Sequence, residues 1–152
     1  MIDLHYIVLN YGLDGLFIAS AIGSTIFVPF TVELWFPLFL RAGIPRLSVL
    51  AYATAGALLG TLVNYALGFY GAKVIQRHAK GEGVVRAKRI MDRYGWLGVF
   101  VILVLPIPLP VDALTIVCGL TRMSLIEFTI TVLAAKIIKY SLALELFSLF
   151  IH

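Results

Sequence analysis

Prolines at alternate positions are incompatible with a continuous helix, and residues 106 to 110 read Pro106-Ile107-Pro108-Leu109-Pro110 inside an apolar stretch running from Trp96 to Cys118. Each proline lacks an amide donor and clashes with the turn before it, so the run ends any helix that reaches it. Asp112 follows almost at once. A second apolar stretch, Ile26 to Leu40, has the same character, with Pro29, Glu33 and Pro37, and it is shorter than the roughly 20 residues a spanning helix needs. The fold must therefore accommodate two apolar segments, each with a broken backbone and a carboxylate.

Composition decides which solvent surrounds them. Of 152 residues, 61% are hydrophobic and 13% charged, with a mean hydropathy of +1.01, whereas an average soluble domain is about 45 to 50% apolar. The expectation is a single all-α membrane domain over residues 1–152, with at most about five crossings. Met1-Ile2-Asp3-Leu4-His5 lacks a basic start, and Asn10 and Asp14 interrupt the first apolar run. The N-terminus is therefore expected to be retained rather than cleaved. Cys118 is the only cysteine, which excludes an internal disulfide and a cysteine-built metal site. It reads as a small packed residue. His5 and His152 lie at the termini and His78 in a polar loop, so neither a metal site nor a cofactor is expected.

The apolar stretches are Tyr6 to Ile22, Ile26 to Leu40, Leu47 to Tyr70, and Trp96 to Phe150 with breaks near Pro106 and Arg122. Between Gly71 and Gly95 the chain carries Lys73, Arg77, Lys80, Arg86, Lys88, Arg89 and Arg93 against Glu82 and Asp92. Basic residues concentrate in cytoplasmic loops, so this linker, residues 71–95, is expected inside, where it reads as a determinant of topology and a lipid-facing amphipathic helix. A nucleic-acid partner has no support from a short basic loop in such a chain. Gly56, Gly60, Asn64 and Gly68 share one helix face, where small residues let another helix approach closely. Asn64 needs a hydrogen-bonding partner at that depth.

The two broken segments match each other. Pro29-Phe30-Thr31-Val32-Glu33 and Pro108-Leu109-Pro110-Val111-Asp112 both read P-x-x-V-[ED]. A second string follows each: Ala42-Gly43-Ile44-Pro45-Arg46-Leu47-Ser48, then Cys118-Gly119-Leu120-Thr121-Arg122-Met123-Ser124, with the acid-to-glycine spacing ten residues in the first half and seven in the second. The halves, about 24–70 and 96–150, then form an inverted repeat in which each broken segment is a re-entrant hairpin. Broken backbone at membrane depth survives only where protein or water covers it, and such breaks mark the binding site in many transporters.

The residues expected to carry chemistry are Glu33 and Asp112, brought together from opposite faces, and Lys136, Lys139 and Tyr140, which share a face of the last helix. An intramembrane charge must be protonated, paired or wetted. Capping of broken backbone is the alternative role for the acids. For Lys136 it is anchoring at the interface, should that helix's apolar core begin late. Arg46 and Arg122 close the hairpins at opposite faces, as interface anchors or as ligands for a headgroup phosphate.

At these residues the chain resembles the DedA superfamily, also called the VTT or SNARE-associated domain. The likeness rests on Pro29 to Glu33 and on Leu105-Pro106-Ile107-Pro108 through Cys118-Gly119. It is similar to the compact YqaA-type branch at Gly60 to Gly68, Arg93-Tyr94-Gly95, Pro108 to Asp112 and Lys136-x-x-Lys139-Tyr140. The resemblance implies opposed re-entrant hairpins and movement of phospholipid or polyprenyl phosphate between leaflets. The arginines that usually flank the second hairpin are replaced by Leu105 and Val111.

The expected protein is a lipid transporter of the inner or plasma membrane whose partners are anionic lipids and protons, in a form compatible with a homo-oligomer. A proton-coupled exporter of small cations is one rival, which the lysines would disfavour by repulsion. A structural or assembly protein is the other. An enzyme has least support, for want of a nucleophile–base set, a phosphate loop or zinc spacing. The charge bias predicts that the N-terminus and linker face the cytoplasm while Arg41 to Arg46 and His152 face out. Single cysteines introduced at Lys80 and Pro45 should be labelled from opposite sides of the membrane.

Overall fold

The computed structural model describes residues 4–25, 32–78, 82–105 and 111–151. Pro29, Pro106, Pro108 and Pro110 lie outside them. Among the described residues the chain is helical: α1 (Leu4–Gly23), a 3-10 turn (Val32–Trp35), α2 (Phe36–Arg41), α3 (Arg46–His78), α4 (Glu82–Val104), α5 (Val111–Leu120) and α6 (Leu125–Ile151). His78 ends a helix rather than sitting in a loop, and the basic linker is largely helical, shared between the end of α3 and the start of α4. Pro37 does not break its segment. It sits in the first turn of α2, where a missing amide costs nothing because that donor has no intrahelical partner.

The same order of elements occurs twice: a kinked helix, a break, a short helix, a tight turn and a long helix. The kinks fall at Gly12 (φ 56, ψ −126) and Gly95 (φ 55, ψ −142), a backbone conformation open essentially to glycine alone. Both glycines stand in a Tyr-Gly-x-x-Gly string, Tyr11 to Gly15 and Tyr94 to Gly98. The tight turns also agree bond for bond. Ala42, Gly43 and Ile44 donate to Leu38, Leu40 and Phe39, while Thr121, Arg122 and Met123 donate to Val117, Gly119 and Cys118. Gly43 (φ 77) and Arg122 (φ 54) therefore occupy the same left-handed place. They are 79 residues apart, as are Glu33 and Asp112. The three-residue difference between the Gly-x-x-Arg strings thus disappears: the equivalent of Arg122 is Gly43, not Arg46.

Each long helix packs on the kinked helix of its own half and on the short helix of the other, α3 against α1 and α5, α6 against α4 and α2. Two cores result. One joins Leu16, Phe36, Phe39, Val49 and Ala53 with Tyr140 and Leu144 of α6; the other joins Val99, Leu103, Leu114, Phe128 and Val132 with Tyr65 of α3. The glycines of α3 make the close approach that their spacing suggests. A Cβ on Gly56 would overlap the carbonyl of Phe17, one on Gly60 that of Ala21, and one on Gly68 that of Ile116, while Gly119 of α5 meets the carbonyl of Tyr65 in return.

Burial along α3 is inverted relative to a soluble helix. Thr54, Thr61 and Asn64 are buried while Leu47, Leu59, Val63, Leu67 and Phe69 are exposed, the pattern expected when the surrounding solvent is apolar. By length and composition α3 can cross a membrane over Arg46–Gly71, with mean hydropathy 1.5.

Gly68→Val should destabilise the fold by about 2 kcal/mol or more through overpacking. Gly43→Ala, whose added Cβ meets nothing within 4 Å, should cost only the backbone strain, about 1 kcal/mol. Thermal denaturation in detergent separates the two.

Candidate functional site

Glu33 sits in the 3-10 turn and Lys139 near the middle of α6. The lysine Nζ lies 2.9 Å from the Glu33 Oε1, with the side chains 26% and 14% exposed. The turn can place a carboxylate here because Val32, Phe36 and Phe39 around it are buried in the first core, leaving Glu33 on the side facing α6. One residue on, Tyr140 is fully enclosed, its ring edge-on to Phe36 at 5.5 Å and its hydroxyl close to the Ser20 and Ser24 side chains at the end of α1. The Lys136 ammonium lies 5.6 Å from the centroid of the same ring, in the range of a cation–π contact.

From Ser24 the polar contacts continue across the molecule. The Asn64 amide donates to the Ser24 carbonyl at 3.0 Å and to the Thr115 hydroxyl of α5 at 3.1 Å, which supplies the partners its depth demands. Ser20 in turn donates to the Ala53 carbonyl at 2.6 Å. Polar groups are therefore aligned from Tyr140 past Ser20 and Ser24 of α1 to Asn64 and Thr115 of α5, linking both halves.

The sequence-derived residues thus fall into three groups. Glu33, Lys139, Tyr140 and Lys136 come together, and Asn64 joins them through Ser24. Asp112 lies in the first turn of α5, but its side chain is outside the described residues. Arg46 and Arg122 are remote from this cluster. Arg46 opens α3 and pairs with Glu145 at 3.2 Å, and Arg122 lies over the ring of Phe69 at 5.5 Å. Ser20, Ser24, Thr115 and Glu145 escaped sequence reasoning. Small hydroxyls within apolar runs carry no periodic mark, and Glu145 lies 99 residues from its partner. The cluster can hold a cation–carboxylate pair out of bulk water and exchange a proton or an oxyanion with it. Among the described residues no group of three or more His, Cys, Asp or Glu side chains could hold a metal.

Comparison with known proteins gives the cluster a context. An uncharacterized protein of Methanocaldococcus jannaschii is 26% identical over 144 residues, covering 94% of this chain and 88% of that one. No solved structure matches the chain. The sequence profile of the VTT domain matches residues 22–149, which takes in Glu33, Asn64, Thr115, Lys139 and Tyr140 alike. The chain belongs to the VTT domain family, the DedA family of membrane proteins.

Proposed function

We propose that this chain is a multi-pass protein of the inner or plasma membrane that moves a phosphate-bearing lipid, a phospholipid or a polyprenyl phosphate, between leaflets as a flippase or scramblase. The observation that carries the reading is the Glu33–Lys139 pair, 2.9 Å apart and largely removed from solvent in a bundle whose outer surface is apolar. A charge pair in such surroundings costs desolvation that packed apolar residues would not, so its presence points to use. Membership of the VTT domain family supports the same reading.

In this proposal the two halves are an inverted repeat. With the basic linker inside, α3 runs from outside to inside and α6 from inside to outside. The broken segments become re-entrant hairpins entering from opposite faces, with Glu33 and Asp112 as their paired carboxylates. At rest Glu33 neutralises Lys139. A lipid phosphate, itself an anionic acceptor, competes with the carboxylate for the ammonium. Protonation of Glu33 releases Lys139 to the phosphate, and return of the proton to water lets the pair re-form and expels the head. Lys136, one turn away on the same helix, adds positive charge along the path, and Asp112 serves the second hairpin in the same way.

Reconstitution into liposomes, with leaflet exchange of labelled lipids followed with and without a pH gradient, tests the proposal. Glu33→Gln and Asp112→Asn should each abolish exchange while the protein stays folded. Exchange at wild-type rates by both, at mildly acid and mildly alkaline pH alike, would sink the shared-gate reading. A purely structural pair predicts a different pattern. Lys139→Met would then cost about 2 kcal/mol by stranding the carboxylate, and the double variant Glu33→Gln with Lys139→Met would recover both stability and exchange. On the functional reading the double variant recovers stability by non-additivity but not exchange.

A further inference from the structure

Away from the Glu33–Lys139 cluster, the second half of the apolar span of α3 and the α5–α6 turn line an open cleft of about 490 Å³, with Leu62, Tyr65, Ala66, Phe69 and Leu125 beside Arg122 and Ser124. That volume is in the range of small-molecule sites. We infer that this cleft seats an anionic phospholipid, its tail along the α3 wall and its phosphate on the Arg122 guanidinium.

Arg122 adopts φ 54 in a turn whose hydrogen bonds are the same as those around Gly43, the residue that meets the same demand in the other half. An L side chain there is strained, and strain held at one residue points to a role for its side chain. What the strain secures is a guanidinium at the mouth of an apolar cleft, 5.5 Å from the Phe69 ring centroid. A guanidinium over a ring keeps its edge donors for a bidentate oxyanion.

The other half supplies the contrast. Its counterpart is a cleft of about 270 Å³ lined by Arg46, Leu47, Leu50, Ser141, Leu144 and Glu145. Ser141, Leu144 and Glu145 lie 79 residues beyond Leu62, Tyr65 and Ala66. Where the second cleft has Glu145, holding Arg46 at 3.2 Å, the first has Ala66. Among the described residues no carboxylate lies within ion-pair distance of Arg122. One cleft carries its own anion and the other leaves an arginine facing an apolar wall, so the complementary occupant is an amphiphile with an anionic head. The two lie toward opposite ends of the apolar span Arg46–Gly71 of α3, some 25 Å apart at about 1.5 Å per residue, and so toward opposite faces of a membrane that this span crosses. This inference rests on the membrane setting of the proposed function.

The test uses the full chain with Tyr70, an exposed residue lining the cleft, replaced by p-benzoylphenylalanine. Nanodiscs contain equal parts phosphatidic acid and phosphatidylcholine with identical acyl chains. Photo-crosslinked lipid should be enriched several-fold in phosphatidic acid. Arg122→Gly, which keeps the turn because glycine satisfies it, should equalise the two lipids without lowering the melting temperature, and Arg46→Gln should leave the enrichment intact. Equal crosslinking in the parent, enrichment surviving Arg122→Gly, or enrichment lost on adding millimolar inorganic phosphate would each overturn the proposal, the last by revealing an ion site. Leaflet exchange measured on the same proteins separates the two readings. Enrichment without exchange sinks transport and keeps the cleft, and exchange without enrichment does the reverse.

Discussion

Helix α3 meets its neighbours backbone to backbone. Gly56 and Gly60 bring it against α1, and Gly68 with Gly119 bring it against α5. In an apolar solvent the hydrophobic effect supplies no drive for helices to associate, and close van der Waals contact and buried polar bonds must serve instead. The glycines supply the first. Asn64, between Gly60 and Gly68 on the same face, supplies the second by bonding to the end of α1 and to α5 at once. The two cores follow from this arrangement, because α3 holds α1 on one side and α5 on the other while α6 covers α2 and the 3-10 turn.

The electrostatics follow the same division of labour. Near the middle of α6 the Lys139 charge is met by Glu33 in a close, largely buried pair. Toward the ends of the long helices it is exposed: Arg46 with Glu145 are 49% and 68% exposed, so their pairing is worth little energetically. A helix that carries Lys136 and Lys139 between exposed Leu133, Ile137, Ile138 and Leu142 balances insertion cost against whatever the lysines do. Among the described residues α3 is the helix apolar enough to cross a membrane by length and composition, whereas α6 carries Glu127, Lys136, Lys139 and Glu145.

Much of this was legible in the sequence. The α3 glycine face, the helical class and the grouping of Lys136, Lys139 and Tyr140 all follow from 3.6-residue periodicity. The partner of Lys139 does not, since periodicity places a residue on a face without saying what faces it. Shared letters misled at the turns: Gly-x-x-Arg occurs in both halves, yet the residues that match in conformation are Gly43 and Arg122. The strings Tyr11-Gly12-x-x-Gly15 and Tyr94-Gly95-x-x-Gly98 are visible in the sequence, but their letters do not say that Gly12 and Gly95 share a positive-φ conformation.

Those dihedrals have a mechanical consequence. At Gly12 and Gly95 the direction of everything before the residue, relative to everything after it, is set by two torsions with no Cβ and no neighbour within 4 Å of where one would be. Each acts as a universal joint between a leading segment and the helix that enters the bundle. A bilayer thicker or thinner than the protein's apolar girth imposes tilt on whatever is anchored at its surface. With a joint at the front of each half, that tilt is absorbed at two residues, while the glycine contacts of α3 and the Asn64 bonds behind them keep their register.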